Sequence, residues 1–210
     1  MARTRIKVCG VRDTETALVA SECGADAIGL VFAEGSVRRV EPEAAWEIAC
    51  VVPPFVAKVG LFVDAGAERY HEVMERCPCD YGQLHGGEGV DEVRECGPRI
   101  IKAVRFDEST IGDEIRKWNE VAEVEALLID GGAGGEGRSF DWRALARVQD
   151  ECVHPIILAG GLTAENVGEA IRIVRPWAVD VSSGVERERG IKDARLIEAF
   201  CDAVRAADEG

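Results

Sequence analysis

The sequence predicts an α/β fold in which eight parallel strands close into a (β/α)8 barrel, the TIM-barrel architecture. Short runs rich in Val and Ile alternate with amphipathic segments along the whole chain, and such alternation is typical of a parallel sheet. The runs are apolar throughout, as expected of strands buried on both faces. Eight runs favour a closed barrel, because an open doubly wound sheet of about five or six strands would leave two unexplained.

The strands and helices are predicted from apolar runs and from helix-capping signals. Asp13 is expected to cap a helix that ends at Gly24, Pro42 stands at a helix start, and Thr163 is expected to cap a helix over 164–174. The predicted strands cover residues 5–9, 26–32, 55–63, 80–84, 99–104, 126–130, 155–159 and 178–182. Further helices are predicted over 67–76, 90–95, 111–120 and 142–150, and a last helix with Leu196, Ile197, Phe200, Cys201 and Val204 on one face.

Length and charge narrow the classes of protein. A chain of 210 residues fits one domain, residues 1–210, since no linker-like segment interrupts it. The 39 acidic residues exceed the 25 Lys and Arg, and a net charge of −14 argues against nucleic-acid and anionic-membrane partners. No apolar run approaches the roughly 18–20 residues that span a bilayer. Because no signal-peptide pattern is found either, we expect a cytoplasmic protein.

Eight cysteines need their own interpretation. A disulfide framework is one possibility for an even count. Reduced thiols, most of them small buried hydrophobes, are favoured because the chain is long enough for a real core and lacks an export signal. Cys77 and Cys79 are separated by one residue, whereas zinc-binding and redox motifs need two or more. We therefore predict no metal site.

Two glycine- and serine-rich turns follow the last two predicted strands. Gly160-Gly161 comes after strand seven, and Ser182-Ser183-Gly184 comes after strand eight. Barrels of this kind place their chemistry at the C-terminal ends of the strands and hold phosphate after strands seven and eight. Glycines let the backbone approach a phosphate, and free N–H groups supply the donors. Tight turns without a ligand are the alternative for each turn taken alone.

Proton transfer has two candidates at the predicted strand ends, Cys9 and Asp130. A thiol base needs a lowered pKa, and a carboxylic acid needs one raised by burial. The alternatives are a buried hydrophobe for Cys9, a loop cap for Asp130, and a solvated surface charge for Arg38 as opposed to an anion clamp. The glycine-rich segment 131–139 is predicted to be a mobile lid, with a plain flexible loop as the alternative. Its partial dinucleotide and P-loop matches are attributed to glycine content, because no helix opens there and Arg138 replaces the P-loop lysine.

Six short motifs occur in order along the chain. They are Lys7-Val8-Cys9-Gly10, Ser36-x-Arg38 followed by Pro42, Gln83-Leu84-His85-Gly86, Gly134-Gly135-x-Gly137 leading to Phe140-Asp141-Trp142, Ala159-Gly160-Gly161-Leu162 with Glu165-Asn166-Val167, and Val179-Asp180-Val181-Ser182-Ser183-Gly184-Val185-Glu186. Together they resemble the phosphoribosylanthranilate isomerases of tryptophan biosynthesis, and the resemblance covers nearly the whole chain.

The resemblance implies an Amadori rearrangement without a cofactor. The family converts N-(5-phosphoribosyl)anthranilate, a small phosphorylated substrate, to 1-(2-carboxyphenylamino)-1-deoxyribulose 5-phosphate. By resemblance, Asp130 is the general acid that opens the ribose ring, and Cys9 is the general base that removes the C2 proton. Arg38 matches the position that meets the anthranilate carboxylate. Matching positions are Gln83, His85 and Asp180 around the sugar, and Gly160, Gly161, Ser182, Ser183 and Gly184 around the phosphate.

Two residues depart from the family pattern, and the sequence leaves rival functions open. Glu136 stands where the family lid carries Ser or Thr, and Val37 replaces a Pro, so substrate affinity is in question. A histidine-pathway sugar isomerase is the rival enzyme, but that family has Asp where this chain has Cys9. A catalytically silent barrel that binds a phosphorylated regulator would be expected to lack one of the two proton-transfer residues. Monomer and homodimer are both compatible with the sequence.

Overall fold

A computed structural model of the protein describes residues 3–132 and 140–210. Eight parallel strands form a closed barrel in chain order, with β8 pairing back onto β1. The predicted fold class is therefore confirmed. The strands are β1 Arg5–Cys9, β2 Ala27–Val31, β3 Ala57–Phe62, β4 Tyr81–Leu84, β5 Ile100–Arg105, β6 Val124–Asp130, β7 Ile156–Leu158 and β8 Ala178–Val181.

The helices surround the barrel. They are α1 Thr14–Glu22, α2 Pro42–Val51, α3 Ala67–Arg76, α4 Val90–Cys96, α5 Ile111–Asn119, α6 Trp142–Val148, α7 Val167–Val174 and α8 Ala194–Glu209. Asp13 caps α1 as predicted, because its carboxylate accepts a hydrogen bond from the Thr16 N–H at 2.7 Å. No helix within the described ranges is long and apolar enough to cross a membrane.

Two details of the predicted helices are wrong. Helix α7 begins at Val167, because the Asn166 side chain bonds the Thr163 N–H and the Gly161 carbonyl and closes a turn before the helix. In α8, Leu196 is 37% exposed, although the other predicted apolar positions are buried. Each residue turns an α-helix by about 100°, so Leu196 lies well to the side of the buried stripe.

Apolar side chains form two separate layers, one outside and one inside the sheet. The outer layer packs strands against helices and buries Phe62, Trp118 and Phe200. Burying each such side chain contributes roughly 1.5–3 kcal/mol. The inner layer fills the barrel with side chains at alternate strand positions, which share one face. Strands β1 and β4 place the polar Lys7 and Gln83 in this interior, where both are almost fully buried.

The chain between β8 and α8 contains a hairpin that the sequence did not predict. A short 3₁₀ helix, Ser183–Val185, leads into two antiparallel strands, β9 Glu186–Glu188 and β10 Ile191–Lys192. The hairpin follows the C-terminal end of β8, and Arg189 in its turn lines the mouth of the barrel.

The remaining predictions concern the cysteines and the glycine-rich segment. Four cysteines are buried, and three more pack partly against the core, while Cys50 is exposed. Residues 133–139 lie outside the described residues, so the lid and the effect of Glu136 stay predictions.

Candidate active site

The C-terminal ends of the strands surround a cavity of about 580 Å³. Nine of the eleven predicted site residues line it: Cys9, Arg38, His85, Asp130, Gly160, Gly161, Asp180, Ser182 and Ser183. The other two lie behind the wall. Gln83 is fully buried inside the barrel next to His85, and Gly184 packs against Leu162. Within residues 3–132 and 140–210, no three His, Cys, Asp or Glu side chains cluster as a metal site would require.

Cys9 lies beside a buried ion pair. Lys7 precedes it by two residues on β1 and therefore faces the same side of the sheet. The β1–β8 register places Lys7 opposite Asp180, and its Nζ donates to Asp180 Oδ1 at 2.7 Å. Burial raises the pKa of Cys9 above its ordinary 9.0, while the positive charges of Lys7 and Lys192 partly oppose this shift. Burial thus favours the neutral thiol of Cys9 over the thiolate.

Asp130 ends a chain of polar contacts that begins inside the barrel. Gln83 Nε2 lies 2.8 Å from His85 Nδ1, and His85 Nε2 lies 3.3 Å from Asp130 Oδ2. Asp130 Oδ1 accepts a hydrogen bond from the Gly132 N–H at 3.0 Å. The Gln83 amide donates to Nδ1, which leaves Nε2 as the ring nitrogen that donates towards Asp130. His85 thus orients the carboxyl group at the cavity.

Arg38 is a buried, paired side chain, which excludes the solvated surface charge. Its Nε and one terminal nitrogen donate to the two oxygens of Glu186 at 2.7 and 2.8 Å. Bidentate pairs of this kind fix the plane of a guanidinium group. Gly10, with a φ of 81°, lets the arginine pass the end of β1, since a Cβ there would lie 2.6 Å from the Arg38 Cδ.

The turns after β7 and β8 face the cavity with their backbone. Gly160 and Gly161 have φ angles of 88° and 65°, a region that other residues adopt only with strain. Their N–H groups donate to no backbone acceptor in the described part of the chain. The 3₁₀ helix starts at Ser183, so its first N–H groups have no partner within the helix. A Cβ on Gly184 would lie 1.9 Å from the Leu162 carbonyl oxygen, so this glycine packs the two turns together.

Sequence reasoning gave no role to three residues that support the site: Lys7, Glu186 and Lys192. The i, i+2 spacing of Lys7 and Cys9 on a strand was a usable signal. Lys192 had no such signal, because its contacts depend on the unpredicted hairpin. Burial opposes ionisation of Glu186, but the bonds from Arg38, the Gly190 N–H and Lys192 outweigh it and lower the pKa of Glu186 to about 2.

Fold and site together define a (β/α)8-barrel protein with acid–base side chains and glycine turns at its C-terminal mouth. Residues 6–203 match the family model described as N-(5'phosphoribosyl)anthranilate (PRA) isomerase. The chain belongs to this family of isomerases.

Relatives with this name match almost the whole chain. The N-(5'-phosphoribosyl)anthranilate isomerase of Nitrosococcus oceani is 45% identical, covering 96% of this chain and 98% of the relative. The enzyme of Desulforamulus reducens is 46% identical, covering 96% and 95%.

Solved structures of the family superpose closely. The phosphoribosyl anthranilate isomerase from Thermus thermophilus has a TM-score of 0.88 at 34% identity, covering 97% of this chain and 99% of that one. A phosphoribosyl anthranilate isomerase in complex with reduced 1-(o-carboxyphenylamino)-1-deoxyribulose 5-phosphate has a TM-score of 0.86 at 37% identity, with the same coverage. A structure of monomers generated from the dimeric isomerase of Thermotoga maritima is 35% identical over 97% of this chain and 99% of that one, with a TM-score of 0.84.

Proposed function

We propose that this protein catalyses the rearrangement of N-(5'-phosphoribosyl)anthranilate to 1-(2-carboxyphenylamino)-1-deoxyribulose 5-phosphate in tryptophan biosynthesis, without a cofactor. One observation carries the proposal. Cys9 and Asp130, a thiol and a carboxyl group from strands three places apart around the barrel, face one cavity. The same cavity is bounded by Arg38 and by the glycine turns after β7 and β8. The relative that holds the reduced product supports the choice of substrate.

The first step needs an acid at the ring oxygen of the sugar. Asp130 donates a proton to this oxygen while the bond between it and C1 breaks, and the anilino nitrogen supplies the electron pair that forms the C1=N bond. The product is a protonated Schiff base. His85 holds the carboxyl group of Asp130 in place from the side of β4.

The second step needs a base at C2. Cys9 acts as the thiolate, after its own proton has passed to solvent. It removes the C2 proton, and the electron pair left behind neutralises the Schiff base to give an enolamine. Protonation at C1 and loss of the proton from the hydroxyl oxygen on C2 then yield the ketone. Although burial raises the pKa of Cys9, the protonated Schiff base brings a positive charge next to the thiol and makes C2–H more acidic. Ring opening thus prepares the base for its step.

Anion binding is assigned to the two ends of the cavity. The third nitrogen of the Arg38 guanidinium is available for the anthranilate carboxylate, since the other two are engaged by Glu186. The N–H groups at Gly160, Gly161 and Ser183 are available for the phosphate. The surface carboxylates have little effect on anion binding, because exposed charges are screened beyond about 8–10 Å.

The sequence is compatible with a monomer and with a homodimer. The relative from Thermotoga maritima, which is dimeric in its original form, supports the homodimer.

A fluorescence assay on freshly made phosphoribosylanthranilate tests the function. Cys9→Ser and Asp130→Asn are each expected to lower kcat by about 10²–10⁴-fold, the usual contribution of a positioned acid or base. Cys50→Ser and Asp113→Asn are matched controls, because both side chains are exposed and away from the cavity.

Two outcomes would contradict this assignment. Near-wild-type turnover by either site variant would remove the role given to that residue. A wild-type protein that leaves phosphoribosylanthranilate unchanged but rearranges the two-phosphate intermediate of histidine synthesis would identify the rival sugar isomerase instead.

A further inference from the structure

We propose that Glu186 and Lys192 are positioning residues that tie Arg38 to the Ser182 turn and so hold the two anion-binding ends of the cavity in a fixed relation. Neither residue lines the cavity, so both act through residues that do. The inference rests on the proposed function for the identity of the two anionic groups.

The Glu186 carboxylate is fully engaged on both oxygens. Oε1 accepts from Arg38 Nε at 2.7 Å and from Lys192 Nζ at 2.9 Å. Oε2 accepts from the second Arg38 nitrogen at 2.8 Å and from the Gly190 N–H at 3.0 Å. A carboxylate offers about four lone-pair sites, so Glu186 has no capacity left for solvent or substrate. Its whole hydrogen-bonding capacity serves to hold other groups.

Lys192 extends this contact to the turn after β8. Its Nζ donates to Glu186 Oε1, to the Ser182 carbonyl at 2.9 Å and to the Ser182 Oγ at 3.3 Å. An ammonium group has three donors, and all three have partners. One continuous chain of hydrogen bonds, the bridge, therefore links two parts of the cavity wall. It consists of Arg38, Glu186, Lys192 and Ser182.

Charge gives the bridge a second property. Arg38 and Lys192 share the single carboxylate of Glu186, so the three buried groups carry one unbalanced positive charge. Burial lowers the pKa of Lys192, and the like charge of Arg38 adds to this while Glu186 opposes it. Burying an unbalanced charge is costly unless an opposite charge completes it. An anionic substrate in the adjoining cavity supplies that charge.

The β9–β10 hairpin explains how the bridge is built. Its antiparallel register pairs Lys192 with Glu186 at the open end of the hairpin, beside Ser182. Arg187, Glu188, Arg189 and Ile191 between them are exposed, whereas Gly190 is buried. The hairpin thus brings Lys192 back to the carboxylate of Glu186, six residues earlier in the chain.

A second buried pair in the protein shows what a purely structural role looks like. Lys102 and Glu88 are also almost fully buried and lie 2.7 Å apart. Beyond each other, their partners are backbone groups: Glu88 accepts from the N–H groups of Asp64 and Gly86, and Lys102 donates to the carbonyls of Leu84 and Gly86. The Glu186–Lys192 pair differs because it holds a cavity-lining guanidinium group.

A double-mutant cycle separates positioning from general stabilisation. Glu186→Gln keeps the shape of the side chain but removes its charge, and it is expected to raise KM for phosphoribosylanthranilate by roughly 10-fold or more, since hydrogen bonds to charged groups are strong. Arg38→Met is expected to raise KM by at least as much. If Glu186 acts through Arg38, adding Glu186→Gln to Arg38→Met changes KM by less than about twofold.

Binding measurements distinguish this inference from the proposed function. The probe is the reduced product, 1-(o-carboxyphenylamino)-1-deoxyribulose 5-phosphate, titrated calorimetrically into each folded variant. Lys192→Met is expected to weaken binding by roughly 10-fold, and Lys192→Arg, which keeps the charge, is expected to recover most of it. Lys192→Gln replaces Lys192→Met if the latter does not fold. Glu188→Gln, the same change on the exposed side of the hairpin, is expected to bind as the wild type does.

Each result decides one of the two claims. Wild-type affinity in Glu186→Gln, or independent effects in the double-mutant cycle, would overturn the bridge even if the wild type turns over its substrate. A wild type that binds the probe but catalyses nothing would overturn the proposed function, while the affinities of the variants would still support or overturn the bridge. A wild type that does not bind the probe would overturn both.

Discussion

The charged residues at the cavity differ in whether they already have an ion-pair partner within the protein. The guanidinium of Arg38 is buried and shares Glu186, and Lys7 is bound to Asp180. Arg189, in contrast, is exposed at the turn of the hairpin, lines the cavity, and has no ion-pair partner in the described part of the chain. Arg105 at the end of β5 is likewise exposed, lines the cavity and has no ion-pair partner among residues 3–132 and 140–210, so these two cations are best able to attract an anionic substrate at long range.

Replacing Arg189 tests this effect. Arg189→Ala is expected to raise KM for phosphoribosylanthranilate about two- to tenfold at low ionic strength, and less at high salt because the charge is screened. The value of kcat stays unchanged. Arg187→Ala, on the same hairpin but away from the cavity, is the matched control. Steady-state kinetics at two salt concentrations measure both, and equal effects of the two variants would contradict the assignment.

At the scale of elements, one side chain holds together the turn between β7 and α7, which faces the site. Asn166 was predicted only as part of a motif, with Thr163 as the cap. Its side chain instead accepts from the Thr163 N–H and donates to the Gly161 carbonyl, both at 2.8 Å. The helix start and the glycine turn that faces the cavity therefore depend on one amide group.

Loss of this amide group has a measurable cost. Asn166→Ala is expected to lower the free energy of unfolding by about 0.5–1.5 kcal/mol for each of its two side-chain hydrogen bonds. Because the Gly160–Gly161 turn loses its anchor, the affinity for inorganic phosphate as a competitive inhibitor is also expected to fall. Urea denaturation and inhibition kinetics measure the two effects. A stability loss with unchanged phosphate inhibition would show that this turn stabilises the fold without positioning the site.

At the scale of the whole molecule, buried acid–base pairs make stability depend on pH. Favourable bonds lower the pKa of Glu186 from 4.5 to about 2 in the folded state. A carboxylate whose pKa is lower when folded stabilises the protein fully above its unfolded pKa. This contribution is lost as the pH falls from about 4.5 towards 2. Burial opposes ionisation of Glu88, but the hydrogen bond from Lys102 and other hydrogen bonds outweigh it. They lower the pKa of Glu88 as well.

The free energy of unfolding is therefore expected to decline below about pH 5. In Glu186→Gln the decline is expected to be shallower, because this position no longer titrates, whereas Glu188→Gln keeps the wild-type slope. Urea unfolding followed by circular dichroism across the pH series measures all three proteins. Parallel curves for Glu186→Gln and the wild type would show that Glu186 does not contribute to the acid sensitivity.

Local sequence patterns were sufficient for the barrel and for most of its mouth. Apolar runs report burial, and the ends of parallel strands meet at one face, so Cys9, Asp130 and the turns after strands seven and eight were placed at the cavity from chain position. Arg38, His85 and Asp180, which also line it, were given their site roles by the family resemblance. Gln83 and Gly184 lie behind the cavity wall, and their contacts with the substrate stay predictions. Strand alternation does not tell how deep in the barrel a side chain lies, nor which loop packs behind a turn.

What the tertiary structure alone decided is the pairing of charges. Lys7 meets Asp180 across 173 residues, and Arg38 meets Glu186 across 148. Such pairs depend on strand register, on closure of the barrel between β1 and β8, and on a hairpin with no apolar pattern of its own. The sequence by itself determined which groups reach the mouth, because burial and turn chemistry are local. Contacts between distant parts of the chain decided which of these groups are held, neutralised or left free. Those contacts exist only once the barrel has closed.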